Sequence, residues 1–384
     1  MLIAAWWATG ISATDTDPVS DSIPADTTNR SKGNIIDRII RYFNESNKER
    51  EDGKFDVSFI GGPHYSSDMG LGIGLVASSQ YGHIYTDSVT KRHLHPEASL
   101  MLDVSTTGFV MVGLRGTHIF RDDSKRLIYN LEFSNYPQKF WGVGYENGRG
   151  DSWSKFDEVS VEFRGSLQFR LSRNLLLGPS LEAAWINAEK VREKRFWDGE
   201  RLHMAVVGAG GILAYDTRDN LTAPRRGEYL SLEARLYPRL LGNADRHFML
   251  VEAAFNIYRG VWKGGILAMR LHSALTWGNT PWCMLPTFGG SYDMRGYYEG
   301  RYRDNNEINI TAEIRQHIWH RSSAVAWIGA GSIFPKISRF KLRHVLPNFG
   351  IGYRWEFKRN SNVRVDFGIG RGETSFIFNI NEAF

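Results

Sequence analysis

Apolar and polar residues alternate at every second position along most of this chain, and they do so in long segments. In Glu307 to Ile318, Ile308, Ile310, Ala312, Ile314 and Ile318 fall on one side, with Glu307, Asn309, Thr311, Glu313, Arg315 and His317 on the other. Val363, Val365, Phe367 and Ile369 alternate with Arg364, Asp366, Gly368 and Gly370. Leu230, Leu232, Ala234 and Leu236 alternate with Ser231, Glu233 and Arg235. Strand residues two apart share a face, so each segment is a two-sided ribbon. A soluble sandwich also alternates, with its apolar side inward. Segments of about ten residues, however, match a tilted strand crossing a hydrocarbon layer. The polar sides, rich in Arg, Glu, Asp and Gly, suit a wet lumen. Lipid offers the backbone no hydrogen-bond partner, so strands cross it only as a closed cylinder. The expected fold is all-β, a transmembrane antiparallel β-barrel.

Strand starts are expected near Phe55, Leu71, Glu97, Phe109, Leu127, Phe156, Leu175, Met204, Tyr229, Phe248, Gly264, Glu307, Ala324, Pro347, Asn362 and Thr374. That is about sixteen, an even number, as single-chain bacterial barrels have. With the N-terminal end in the periplasm, odd-to-even connections face outward. Several are long: Asn135 to Trp153, Asn187 to His203 and Gly278 to Asp304. Even-to-odd connections such as Gly260 to Lys263 and His320 to Ser322 are short. The span Gly82 to Pro96 breaks this pattern and points to a misplaced boundary.

Three regions follow. Residues 1–13, with the apolar run Met1 to Ala8 and small residues up to Ala13, read as the remnant of a signal peptide. Residues 14–53 read as a Thr/Ser/Asp/Pro linker and a short amphipathic helix, with Ile35, Ile36, Ile39, Ile40 and Phe43 at helical spacing. Residues 54–384 form the barrel. Lys and Arg number 47 against 42 Asp and Glu, a net +5, and no dense basic helix is present, so a nucleic-acid partner is not expected. The single cysteine, Cys283, excludes an internal disulfide framework.

Three motifs carry a resemblance to a known family. Met294-Arg295-Gly296-Tyr297 lies in the longest outward connection, after the eleventh expected strand. Asp216-Thr217-Arg218-Asp219-Asn220 is followed by Pro224 and Gly227. The last segment places Phe376, Phe378, Ile380 and Phe384 on one face, with an aromatic as its final residue. In order and spacing the chain resembles the BamA/TamA family, the bacterial surface-antigen barrels, from Lys54 to Phe384. The resemblance implies the bacterial outer membrane and a sixth outer loop folded back into the barrel. There the matching arginine is held by a Glu of the next strand and an Asp of the strand after it. Arg295 and Glu313 fit the first pair. Gly329 stands at the Asp position, so one expected carboxylate is missing, and Asp366 is a candidate substitute. Read locally, a buried Arg295 needs a partner, whereas a solvated loop arginine does not.

Gly61-Gly62-Pro63 weakens the first strand, because glycine adds no packing and proline no donor. It either frays the seam with the last strand or ends the first strand at the rim. The resemblance implies a lateral gate at that seam, and insertion or translocation of proteins at the outer membrane. Expected partners are outer-membrane lipid and lipopolysaccharide, nascent outer-membrane proteins, and separate periplasmic or membrane subunits. The periplasmic POTRA repeats of such relatives do not fit into Thr14 to Gly53. The alternative is a passive pore or structural envelope barrel.

No cofactor, metal or catalytic set is expected. His272 and Ser273 are adjacent in a strand and point to opposite faces, which is poor for a base and its nucleophile. His93 with His95, and His317 with His320, lack a third ligand.

Overall fold

A computed structural model describes residues 56–66, 70–81, 85–87, 92–94, 96–120, 123–242, 246–358 and 361–384. All fall in the unit Glu45–Phe384. The expected signal remnant, linker and amphipathic helix lie outside the described residues.

Sixteen strands form one sheet in which each pairs antiparallel with the next in sequence. They are β1 (Asp56–Ser66), β2 (Gly70–Gln80), β3 (Glu97–Ser105), β4 (Val110–Ile119), β5 (Lys125–Phe140) and β6 (Ser154–Arg170). Then come β7 (Leu175–Glu189), β8 (His203–Asp216), β9 (Gly227–Tyr237), β10 (Phe248–Trp262) and β11 (Gly265–Gly278). The last five are β12 (Asn306–Trp319), β13 (Ser322–Phe334), β14 (Leu346–Lys358), β15 (Ser361–Gly370) and β16 (Glu373–Ile380). No strand begins more than two residues from its expected start.

Burial along the strands is inverted relative to a soluble protein. Ile328 is 68% exposed and Ile351 66%, whereas Arg364 and Asp366 are fully buried. The apolar sides therefore face outward and the charged sides face the lumen, the arrangement that hydrocarbon around the sheet requires. The lumen charges are paired. Arg235 donates to Glu233 at 2.9 Å and also to Glu252, and its Nε lies 3.0 Å from a Glu182 oxygen as an ion pair. Tyr237 Oη donates to Glu182 at 2.5 Å. Such networks set each buried charge beside an opposite one away from bulk water.

Two connections differ from expectation. Among the described residues of the span Gly82 to Pro96 there is no barrel strand; Tyr85–Asp87 pairs with Arg92–Leu94 as a small separate hairpin. The connection expected from Asn135 to Trp153 is shorter, because Asn135 to Phe140 continues the ladder against Val159 to Ser154.

Candidate functional site: a loop in the lumen and a seam in the wall

The connection between β11 and β12, residues 279–305, folds into the lumen. Thr287 pairs with Arg303 and Phe288 with Tyr302, a two-rung ladder that stiffens its stem. Met294, Tyr297, Phe288 and Tyr302 then bury against Ile333 of β13 and Leu346 of β14. Apolar burial of this kind stabilises the inward fold at about 25 cal/mol per Å² removed from water. Tyr297 Oη donates to the main-chain oxygen of Pro347 at 2.6 Å and accepts from the Arg371 amide at 2.8 Å. At the loop's root, burial pushes the Asp304 carboxyl up to about 6.

The apex lies flat on β15. Gly296 has φ +121°, and a Cβ there would sit 2.8 Å from the Ile369 backbone. Facing it, Gly368 and Gly370 leave the room that the main chain of Arg295 and the ring of Tyr297 occupy.

Arg295 is 1% exposed. Its Nη1 donates to Asp366 Oδ2 at 2.7 Å and its Nη2 to Glu313 Oε2. The guanidinium stacks 3.7 Å from the centre of the Trp327 ring, a contact worth about 2 kcal/mol when desolvated. The two carboxylates are shared. Arg315 donates to Glu313 at 2.7 Å, Arg354 to Asp366 at 2.5 Å, and Arg364 lies 3.4 Å from Asp366. Arg354 also donates to Glu382 at 2.9 Å. Four guanidiniums and three carboxylates thus form one buried cluster.

Gly329 has a steric reason. A Cβ there would lie 2.3 Å from Asn348 Oδ1 and 2.9 Å from the Ile310 oxygen. Asn348 fills the space and donates to the main-chain oxygen of Arg295 at 2.9 Å. The second carboxylate comes from β15 instead, as Asp366. Trp327, Arg315, Arg354, Arg364 and Glu382 were not singled out from sequence. For the first four the signal was lumen-side parity in consecutive strands, which cannot rank one lumen residue above another; Glu382 lies beyond the last strand and has no such signal.

At the other end of the barrel, the β8–β9 turn is built from its own side chains. Arg218 and Arg126 both donate to Asp216, at 3.0 and 2.9 Å. Thr217 and Glu228 exchange hydrogen bonds of 2.8 Å. Asp219 Oδ1 accepts the Arg225 and Arg226 amides, and Asn220 Oδ1 those of Thr222 and Ala223. Gly227 has φ +104°, and a Cβ would fall 2.2 Å from the Thr217 oxygen, so only glycine fits this crossing.

Phe384 does not share a face with Phe376, Phe378 and Ile380. The strand ends at Ile380, and the last four residues leave the ladder. Glu382 and Ala383 are buried. Arg315 donates to the main-chain oxygen of Phe384 at 3.0 Å and lies 5.5 Å from its ring centre. The cause is the Glu382 carboxylate, which Arg354 and Arg315 draw toward the lumen.

The strands β1 and β16 end the sheet order. Their Cα atoms approach within 8 Å, yet no ladder joins them among the described residues. Gly61, Gly62 and Pro63 do not end β1 at the rim. They sit mid-strand, paired with Leu75, Gly74 and Ile73 of β2. A strand that takes proline in its middle without a second ladder is an edge.

Among the described residues no group of three His, Cys, Asp or Glu side chains is placed to hold a metal ion. His272 bonds Glu307 at 3.1 Å.

Known proteins share this fold. At 12% identity, BamA from Haemophilus ducreyi lacking POTRA domains 1–3 superposes with a TM-score of 0.56, covering 88% of this chain and 77% of that one. CdiB from Acinetobacter baumannii gives 11% identity and a TM-score of 0.52, covering 85% of this chain and 65% of that one, just under two thirds. CdiB from Escherichia coli gives 10% and 0.53, covering 89% and 67%. No curated protein sequence matches the chain. The Omp85 superfamily domain matches residues 117–378. The chain belongs to the Omp85 superfamily, and it is an outer-membrane β-barrel.

Proposed function

We propose that this barrel takes part in inserting or translocating proteins at the outer membrane, in the manner of BamA and TamA barrels. The observation that carries this reading is the unladdered seam. Among the described residues, pairing runs without a break from β1 to β16, and these two strands lie close with no ladder between them. An edge of that kind accepts a strand from another chain at little cost, because no ladder must first be broken. Nascent outer-membrane proteins are the clients, and separate periplasmic or membrane subunits deliver them. Met294 to Tyr297 and Glu313 hold the loop in the lumen, while the Asp216 to Asn220 turn with Gly227 braces the opposite mouth. Gly61, Gly62 and Pro63 loosen one side of the seam; Phe376, Phe378 and Ile380 form the other, followed by Phe384.

A disulfide across the seam tests this. With Cys283 replaced by serine, one cysteine is placed in β1 and one in β16. The oxidised barrel is expected to lose insertion of a labelled client barrel into vesicles, and reduction to restore it. Insertion that continues at the same rate with the seam tied sinks the proposal.

A second reading, a passive pore, is favoured by the lumen itself. A cavity of about 1200 Å³ remains beside the loop, lined by Glu132, Glu162, Arg164 and Glu252 among others. Single-channel recording separates the two. The insertion reading expects little steady current from the wild-type barrel, because the seated loop occupies the lumen. A large, stable current favours the pore.

A further inference from the structure

The connection between β13 and β14, residues 335–345, differs in charge from its neighbours at the same end of the barrel. It holds Lys336, Arg339, Lys341, Arg343 and His344 and no acidic residue. The β7–β8 connection, by contrast, mixes Glu193, Asp198 and Glu200 with its cations. Among the described residues, none of Lys336, Arg339, Lys341 and Arg343 has a carboxylate partner. The same loop exposes three apolar side chains: Ile337 at 66%, Phe340 at 44% and Leu342 at 80%.

The loop does not rise freely from the rim. In β13, Val325, Trp327 and Ile333 share lumen-side parity, while Ile328 points out to lipid. Ser332 and Phe334 share the parity of Ile328, yet they are only 1% and 7% exposed. The loop covers them. Phe340 meets Phe334 edge-on at 5.5 Å between ring centres, and Ser332 Oγ donates to the main-chain oxygen of His344 at 3.4 Å. The His344 ring turns the other way and stacks on Tyr145 at 4.0 Å. The loop therefore folds down over the outside of the wall, directly above the lipid-facing Ile328, Phe349 and Ile351.

We propose that this loop docks a phosphorylated membrane lipid. Its cations take the headgroup phosphates, and Ile337, Phe340 and Leu342 take the first methylenes of the acyl chains. A basic segment with apolar side chains at the membrane boundary gains from both contacts at once. Continuity with the lipid-facing wall favours a lipid over an acidic peptide, which would need only the charge. The inference rests on the outer-membrane location and on this end facing outward.

The test uses the full chain in detergent micelles, with native mass spectrometry counting bound lipid. The probes are bis-phosphorylated lipid A and its phosphate-free form, with inorganic phosphate and oligoglutamate as competitors. Wild type is expected to retain the phosphorylated lipid and to bind the phosphate-free form at least about tenfold more weakly. The variants K336A/R339A/K341A/R343A and I337S/L342S are each expected to weaken binding of the phosphorylated form, the first by about tenfold or more. These substitutions lie in an exposed loop, and heat-modifiable mobility reports separately that the barrel is folded. Equal binding of both lipids by wild type overturns the proposal. So does an unchanged quadruple variant, full competition by inorganic phosphate, which would mark a free-phosphate site, or full competition by oligoglutamate, which would mark an acidic-protein site. A folded, detergent-held barrel that retains no lipid A sinks the docking site alone. A chain that stays monomeric without detergent sinks the membrane assignment as well.

Discussion

Asp366→Ala is expected to loosen the lumen loop more than Arg295→Ala does, although Arg295 is the residue the loop contributes. The reason is arithmetic of buried charge. Four guanidiniums face three carboxylates in the cluster. Without Arg295 the count is three against three, and Glu313 and Asp366 keep Arg315 and Arg354. Without Asp366 it is four against two, and Arg295, Arg354 and Arg364 lose a shared acceptor together. Removing one partner from a buried pair costs about 3–5 kcal/mol, because the remaining charge has nowhere to go. The urea midpoint, followed by heat-modifiable mobility, is expected to fall further for Asp366→Ala than for Arg295→Ala. Asp366→Asn, which keeps the volume, is expected to behave like the alanine. If Arg295→Ala proves the more damaging of the two, or Asp366→Asn is silent, the charge account is wrong.

Gly296→Val is expected to unseat the loop without touching any charge. A β-branched residue at φ +121° is strained by about 1–3 kcal/mol. Its Cβ would also press against the backbone of Ile369, 2.8 Å away in a paired strand that cannot give. The loop then leaves while the wall stays, since every β15 ladder contact is intact. Protease cleavage between residues 289 and 301 is expected to appear, and single-channel conductance to rise several-fold over wild type. An unchanged current with a protected loop would show that the apex tolerates a side chain. Asp366→Ala and Gly296→Val separate two causes of the same opening, one electrostatic and one steric.

The wall was legible in the sequence because its signal is local. Alternation in Glu307 to Ile318 or Val363 to Gly370 needs only neighbouring residues, and lipid on one side leaves no other face for the apolar set. The loop motif was legible through the family resemblance, and its first carboxylate, Glu313, through that resemblance together with its place on the polar side of the next strand. Asp366 was named only as a candidate substitute, with nothing in the sequence to place it beside Arg295. It follows Arg295 by 71 residues, and the place a partner usually takes is blocked by Asn348, a packing fact that alternation does not encode. Trp327 lies two residues before Gly329, but nothing in the sequence said that its ring would carry a guanidinium. Phe384 was misplaced because four residues beyond a strand have no period to read. The pull of two arginines on Glu382 decides their direction. The hairpin inside Gly82 to Pro96 was missed because two three-residue strands are shorter than any periodic window.

The acceptors of Arg295 are spread over β12 and β15, and the tail that follows β16 is tied to the same charges. During synthesis, Arg295 is made 71 residues ahead of its second acceptor. A ribosome that stalls, or a protease that trims the chain ahead of Asp366, leaves a product whose central hairpin has no seat. Protease sensitivity of that hairpin in stepwise C-terminal truncations would date the event. Arrival of Asp366 and seating of the hairpin are then one event, and a copy cut short of that residue is left with an open interior.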